Sequence, residues 1–70
     1  MLNFWRKYPE LRTVIVNLKT GTSFRGVIWQ RRADYLILKN AFQMIENDIR
    51  KSLDGEVLVL MADVEFIQVT

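Results

Sequence analysis

A short segment in the middle of the chain, WQRRADY at positions 29–35, holds the side chains best suited to ligand chemistry. Two guanidinium groups, those of Arg31 and Arg32, stand between the aromatic rings of Trp29 and Tyr35. Guanidinium groups hold phosphates by charge, and aromatic rings stack on nucleobases, each stacked base contributing roughly 1–3 kcal/mol. The segment therefore predicts a nucleic-acid-binding site made of Trp29, Arg31, Arg32 and Tyr35. In the alternative interpretation, Asp34 neutralises one arginine and Trp29 is part of the core.

The residue types needed for most enzyme chemistry are missing. The chain has neither histidine nor cysteine, which removes the commonest general base, thiol nucleophiles, disulfides and the ordinary zinc ligands. Ser23 and Ser52 lie in no nucleophile motif. Asp63 and Glu65 alternate along a predicted strand, but two carboxylates alone make a weak cation site, and such residues are usually solvated. We expect no enzymatic activity, no metal and no cofactor.

The residues around the Arg-Arg segment follow the alternation of β-strands. Apolar side chains occupy every second position over 14–18, and Lys-Thr-Gly-Thr at 19–22 then turns the chain. The run 23–29 alternates around Gly26, where the absence of a Cβ permits a sharp bend. A third alternating run spans 35–39. The pattern predicts three successive strands of a small, bent antiparallel barrel.

The C-terminal half is less regular. The connection 42–55 is too long for a tight hairpin, and the spacing of Met44, Ile45 and Ile49 is compatible with one or two helical turns. An extension of the third and fourth strands into a long, bent hairpin fits these residues equally well. Asp54-Gly55 is a strong turn signal before the next strand.

At the N-terminus, Asn3 can cap a short helix that ends at Pro9, because proline disfavours helical geometry in the residue before it. This predicts a helix over 1–9. Its apolar side chains would pack over one open end of the barrel or, alternatively, contact a membrane or a partner.

The order of these features resembles a known family. Strand, Lys-x-Gly turn, Phe-x-Gly at 24–26, polar loop and Leu-x-Leu-x-x-Ala at 36–41 are similar to the first signature block of Sm and Sm-like proteins, the Hfq-like proteins included. The segment VLVLMADVEFIQV resembles the second block. The resemblance covers 13–41 and 56–70, joined by the connection 42–55. It implies a single Sm-like domain over 1–70, a mainly β, five-stranded, strongly bent antiparallel SH3-like barrel with a short N-terminal helix.

The nucleotide pocket of that family is altered in this chain. Aligned on 36–38, the loop aspartate of the family falls at Arg31 and its base-contacting asparagine at Tyr35. The Arg-Gly pair of the second block falls at 60–61, which is Leu-Met. The resemblance therefore implies a divergent member, similar to short Sm-like proteins of bacteriophages. Repeated around a pore, Arg31, Arg32 and Tyr35 would replace the lost contacts with binding that is less selective among bases.

The resemblance also implies assembly. In Sm-like rings the fourth strand of one subunit pairs with the fifth strand of the next, and closure removes both free edges. A short chain that is 50% hydrophobic has little interior and benefits from such burial. We expect a closed homo-oligomer of five to seven subunits. The apolar residues predicted for the oligomer interface are Val57, Leu58, Val59, Leu60 and Phe66.

Charge is unevenly distributed along the chain. Residues 1–41 hold eight basic and two acidic side chains, whereas residues 42–70 hold two basic and six acidic ones. This asymmetry favours binding of single-stranded RNA by the ring, although both signs can equally be solvated faces. Two alternatives remain open at this point: a structural or adaptor ring that has lost the RNA pocket, and a monomeric SH3-like barrel that grips duplex DNA.

Compartment is predicted from what the sequence lacks. It has no cysteine, no long apolar run that would span a membrane and no secretory signal. We expect a cytoplasmic protein, in the host cytoplasm if the chain is viral, with no membrane partner.

Overall fold

The computed structural model describes residues 12–46 and 49–70. The predicted helix over 1–9 lies outside these residues. The described chain is almost entirely strand, and every pairing between strands is antiparallel. The strands are β1 (Thr13–Leu18), β2 (Ser23–Arg31), β3 (Tyr35–Glu46), β4 (Ile49–Ser52), β5 (Glu56–Leu60) and β6 (Val64–Val69), with a turn of 3-10 helix at Met61–Asp63 between the last two.

The strands form one sheet in the order β4-β3-β2-β1-β6, and β5 also pairs with β3. The predicted fourth strand is therefore divided into two. β4 pairs with the C-terminal half of β3, residues 42–46, and β5 pairs with its N-terminal half, residues 35–39. At the break, the Leu53 N–H donates to the Ala41 carbonyl at 2.9 Å, and Gly55 adopts a φ of 74° that favours glycine. Of the two alternatives for the connection 42–55, the structure has the long, bent hairpin.

The sheet bends where Gly26 of β2 faces β3. A Cβ on Gly26 would lie 3.2 Å from the Ala41 Cα, the Ala41 Cβ and the Lys39 carbonyl oxygen. The ladder between β2 and β3 shifts register here, and Asn40 adopts a left-handed φ of 53°. These are the features of a β-bulge, which bends a strand and strengthens its twist. The bend predicted at Gly26 is confirmed.

A small apolar core lies on the concave side of the bent sheet. Its members alternate along β1, β2 and β3, as the sequence predicts for strands with one buried face. Burial of each larger side chain contributes about 1.5–3 kcal/mol. The buried apolar residues are Val14, Val16, Ile28, Leu36, Leu38, Ala41 and Val59. The mainly β, strongly bent antiparallel architecture is thus confirmed. In the described part of the chain, no helix is long and apolar enough to span a bilayer.

Candidate nucleic-acid interface

The loop between β2 and β3 is a short, hydrogen-bonded connection. The Arg32 backbone N–H donates to the Tyr35 carbonyl at 2.8 Å, and the Arg32 guanidinium donates to the Arg31 carbonyl at 3.2 Å. From the neighbouring 3-10 turn, the Met61 N–H donates to the Asp34 carbonyl at 2.9 Å. The loop therefore presents Arg32, whose side chain is exposed, from a backbone held at three points.

Trp29 lies in a second β-bulge. The ladder between β2 and β3 passes from Ile28 directly to Gln30, so Trp29 is the extra residue. Its side chain is 49% exposed, and the Lys39 ammonium lies 3.7 Å from the ring centroid. Lys39 also forms an ion pair with Glu56 at 3.6 Å. One face of the indole is therefore covered by a cation, and a base that stacked on Trp29 would have to use the other face.

The bulge changes the side of the sheet that the next residues occupy. Arg31 stands directly opposite the buried Leu36, and directly opposite residues share a face of the sheet. Arg31 is accordingly on the core side at the rim, where it is partly buried. Tyr35 is one residue from Leu36 and so lies on the outer face. The four predicted site residues thus cluster at one end of the sheet, but they do not share one surface.

The positions of the altered family pocket converge at this same end. Tyr35 stands directly opposite Leu60, and the hydrogen bond from Met61 to the loop brings the next position alongside. Arg31 approaches from the core side. With Leu60 and Met61 here, the second strand segment contributes apolar groups and no cation. The arrangement can hold a phosphate through Arg32 and stack a ring on Tyr35, but none of these positions supplies a carboxamide to read a base edge.

An apolar strip adjoins the site on the outer face of β3 and β5. Tyr35 faces Leu60 and Ile37 faces Leu58 across the two strands. Leu58 is 60% exposed and Leu60 is 52% exposed, although both are large apolar side chains. These side chains form an exposed apolar strip on the outer face.

The far edge of β5 has free backbone groups. Antiparallel pairs alternate between hydrogen-bonded and non-hydrogen-bonded positions. The hydrogen bond from the Met61 N–H to the Asp34 carbonyl fixes which positions of this ladder are hydrogen-bonded. Val57 and Val59 therefore bond to β3. The N–H and C=O groups of Leu58 and Leu60 point outward instead. No other strand among the described residues pairs with this edge.

The edge formed by β6 is open in the same sense. The Thr70 N–H donates to the Thr13 carbonyl at 3.2 Å, which sets the phase between β6 and β1. By alternation, the backbone groups of Ile67 and Val69 point away from β1. Phe66 is 51% exposed and Val69 is 50% exposed. The edges of β5 and β6 are therefore both open, at separate places on one sheet.

The residues predicted for the oligomer interface divide by face. Leu58, Leu60 and Phe66 are about half exposed, whereas Val59 is only 4% exposed and Val57 packs against the core. The side chains of the two valines therefore belong to the core. Their strand, β5, reaches the edge through its backbone. The described residues contain no group of three or more acidic, histidine or cysteine side chains placed to hold a metal ion.

The fold is similar to two solved structures of Sm proteins. One is a heptameric archaeal Sm protein, with a TM-score of 0.77 and 23% identity, covering 86% of this chain and 87% of that one. The other is the SmAP1 heptamer of P. aerophilum, with a TM-score of 0.82 and 21% identity, covering 99% of this chain and 92% of that one. No family model matches the sequence, and no curated protein matches it. The likeness is one of fold.

Proposed function

We propose that this chain, which has the Sm fold, assembles into a closed homo-oligomeric ring of five to seven subunits. The observation that carries the proposal is the pair of open edges on one sheet. β5 and β6 each carry outward backbone groups, those of Leu58 and Leu60 on β5 and those of Ile67 and Val69 on β6, so β5 of one copy can pair with β6 of the next. The repetition of this heterologous contact closes a ring and covers the open edges of β5 and β6 in every subunit.

Burial of apolar surface supports the same seam. Leu58, Leu60 and Phe66 expose about half of their side chains in a single copy. Complete burial of such a side chain contributes about 1.5–3 kcal/mol, so covering the exposed half of each contributes about 1 kcal/mol. The two Sm proteins of similar fold are heptamers, which is compatible with the proposed range of subunit numbers.

The ring, on this proposal, binds single-stranded RNA without catalysis at the end that carries the β2–β3 loops. Each subunit contributes Arg32 and Tyr35, with Arg31 at the rim and Trp29 beside them. Arginine would hold phosphates, and tyrosine would stack on bases whatever their identity. Repetition around the ring multiplies individually weak contacts, because a strand already held at one subunit meets the next at high effective concentration.

The experiment is fluorescence anisotropy of labelled U-rich and A-rich single-stranded RNA at low and near-physiological salt. We expect saturable binding with little preference between the two RNAs and a clear decrease as salt rises. Arg32→Gln with Tyr35→Leu should weaken binding at least tenfold, whereas Lys51→Gln, a charge change at the exposed hairpin β3–β4, should not. Unchanged affinity in the double variant would show that this end of the sheet is not the RNA site.

A second function has a specific observation in its favour. The pocket end of β5 carries Leu60 and Met61, apolar residues where the family resemblance expects a cation and a glycine. A ring with this surface suits an adaptor that binds another protein. Failure to bind either RNA, together with a ring mass in solution, would favour the adaptor. A mass equal to one chain would favour the monomeric duplex-DNA binder instead.

A further inference from the structure

A second basic site lies away from the β2–β3 loop. A groove with a volume of about 320 Å³ opens on the outer face of the sheet, beside the bulge at Asn40. Thr13, Gly26 and Val27 line the groove, together with Arg25, Phe42 and Arg50. Among the residues that the structure describes, no acidic side chain lines it. A groove of this size is at the lower end of the range for small-molecule sites.

Strand pairing places the charged and aromatic side chains together. Arg25 stands directly opposite Phe42 in the ladder between β2 and β3, so the two share the outer face. Arg50 of β4 faces Met44, two residues from Phe42, and belongs to the same face. Its guanidinium carbon lies 5.3 Å from the Phe42 ring centroid. Phe42 thus stands opposite Arg25 of β2 and next to the guanidinium group of Arg50 from β4.

The two positive charges have no carboxylate partner within the part of the chain that the structure describes. Neither Arg25 nor Arg50 forms an ion pair there, although acidic residues are common in the C-terminal half. Asn40 and Thr13 add an amide and a hydroxyl at the same groove. Two guanidinium groups with neutral hydrogen-bonding neighbours are the chemistry that binds a phosphate, and a flanking ring suits a planar base.

The groove is distinct from the candidate RNA interface. Arg25 precedes Arg31 by six residues on β2, which at about 3.3 Å per residue places them at most roughly 20 Å apart along the strand, and the β-bulge at Trp29 lies between them. We infer that this groove binds a nucleotide through its phosphate, held by Arg25 and Arg50 with Phe42 against the base. The nucleotide is either free or one unit of a single-stranded RNA. The inference does not depend on the proposed function of the loop.

The test is isothermal titration of the full chain with uridine 5′-monophosphate, with inorganic phosphate and with a short single-stranded RNA. We expect the nucleotide to bind at one site per chain and more tightly than phosphate. Arg25→Gln and Arg50→Gln should each weaken nucleotide binding about tenfold, the loss expected for one charged hydrogen-bonding contact. Thermal melts of each variant verify that it is folded.

Lys51→Gln is the matched control, because Lys51 is the neighbour of Arg50 and faces Gln43 on the opposite side of β4. It should bind the nucleotide as the unmodified chain does. If Arg25→Gln weakens the nucleotide but not the RNA, the ligand is a free nucleotide. If Arg25→Gln weakens binding of both ligands, the groove holds part of an RNA strand. The slope of the logarithm of RNA affinity against the logarithm of salt concentration should then become less steep by about 0.7. No nucleotide binding, or equal losses in Lys51→Gln and Arg50→Gln, would overturn the inference.

Discussion

Leu58→Pro should separate the proposed ring into single chains without unfolding them. Leu58 occupies a non-hydrogen-bonded position opposite Ile37, so its N–H points away from β3 toward the open edge. Proline has no N–H and is tolerated at the edges of sheets for that reason. The substitution therefore removes no hydrogen bond within the subunit, but it would remove one from every seam of the proposed ring.

The magnitude follows from the groups involved. Loss of one backbone hydrogen bond costs about 1 kcal/mol net, and the partner carbonyl left unpaired in the seam costs about 1–3 kcal/mol more. A total of about 2–4 kcal/mol per seam weakens pairing roughly 30-fold to 1000-fold. Because every seam of a closed ring carries the same change, the losses accumulate around the ring.

Sedimentation velocity at micromolar concentration measures the assembly, and far-ultraviolet circular dichroism measures the fold. Val57→Pro is the contrasting variant, since the Val57 N–H bonds to Leu38 by the same alternation. It should lower the melting temperature by several degrees or more, because each kcal/mol shifts a domain of this size by roughly 4–8 °C. A folded Leu58→Pro protein that still sediments as a ring would refute the assignment of the β5 edge to the seam.

Three further predictions concern the two β-bulges between β2 and β3. Gly26→Ala should destabilise the fold by about 1–3 kcal/mol in urea titration, because its Cβ meets Ala41 and the β3 backbone at 3.2 Å; full stability would mean that β3 moves aside. Asn40→Ala should cost about 1–2 kcal/mol and Asn40→Gly much less, given the φ of 53°; equal melting temperatures for the two variants would contradict this. A double-mutant cycle between Lys39→Gln and Trp29→Leu should give a coupling of about 0.5–1 kcal/mol, and additive effects would mean that the cation over the ring contributes nothing.

Much of the fold could be predicted from local pattern. Alternation of apolar residues over 14–18 and 23–29 placed β1 and β2, and Asp54-Gly55 marked the turn before β5. The connection 42–55 could not be resolved in this way, because its apolar spacing suits a helical turn and a twisted strand equally well. Pairing of β4 with residues 42–46 of β3 selects the extended hairpin, because it satisfies the backbone hydrogen-bonding groups of both strands.

The sequence predicted which residues make up the candidate site, but not the face of the sheet on which each of them lies. Counting alternate residues from the buried Ile28 would place Arg31 on the outer face, as for Tyr35. The extra residue at Trp29 reverses this, because one inserted residue moves every following side chain to the other face. The groove between Arg25 and Arg50 was not predicted at all. Its two arginines are far apart in sequence and meet only through β3, so no local spacing signals it.

The sequence by itself determined that 14–18, 23–29 and 35–39 lie in strands, that the chain turns at 19–22 and 54–55, and which side chains are available to bind anions. These properties depend on local backbone preference and on the two-residue period of a strand. The tertiary structure alone decided the division of the fourth strand, the face on which each arginine lies and the two edges that remain open. Those properties depend on register and on bulges, which are set by the partner strands and not by the residues of any one segment.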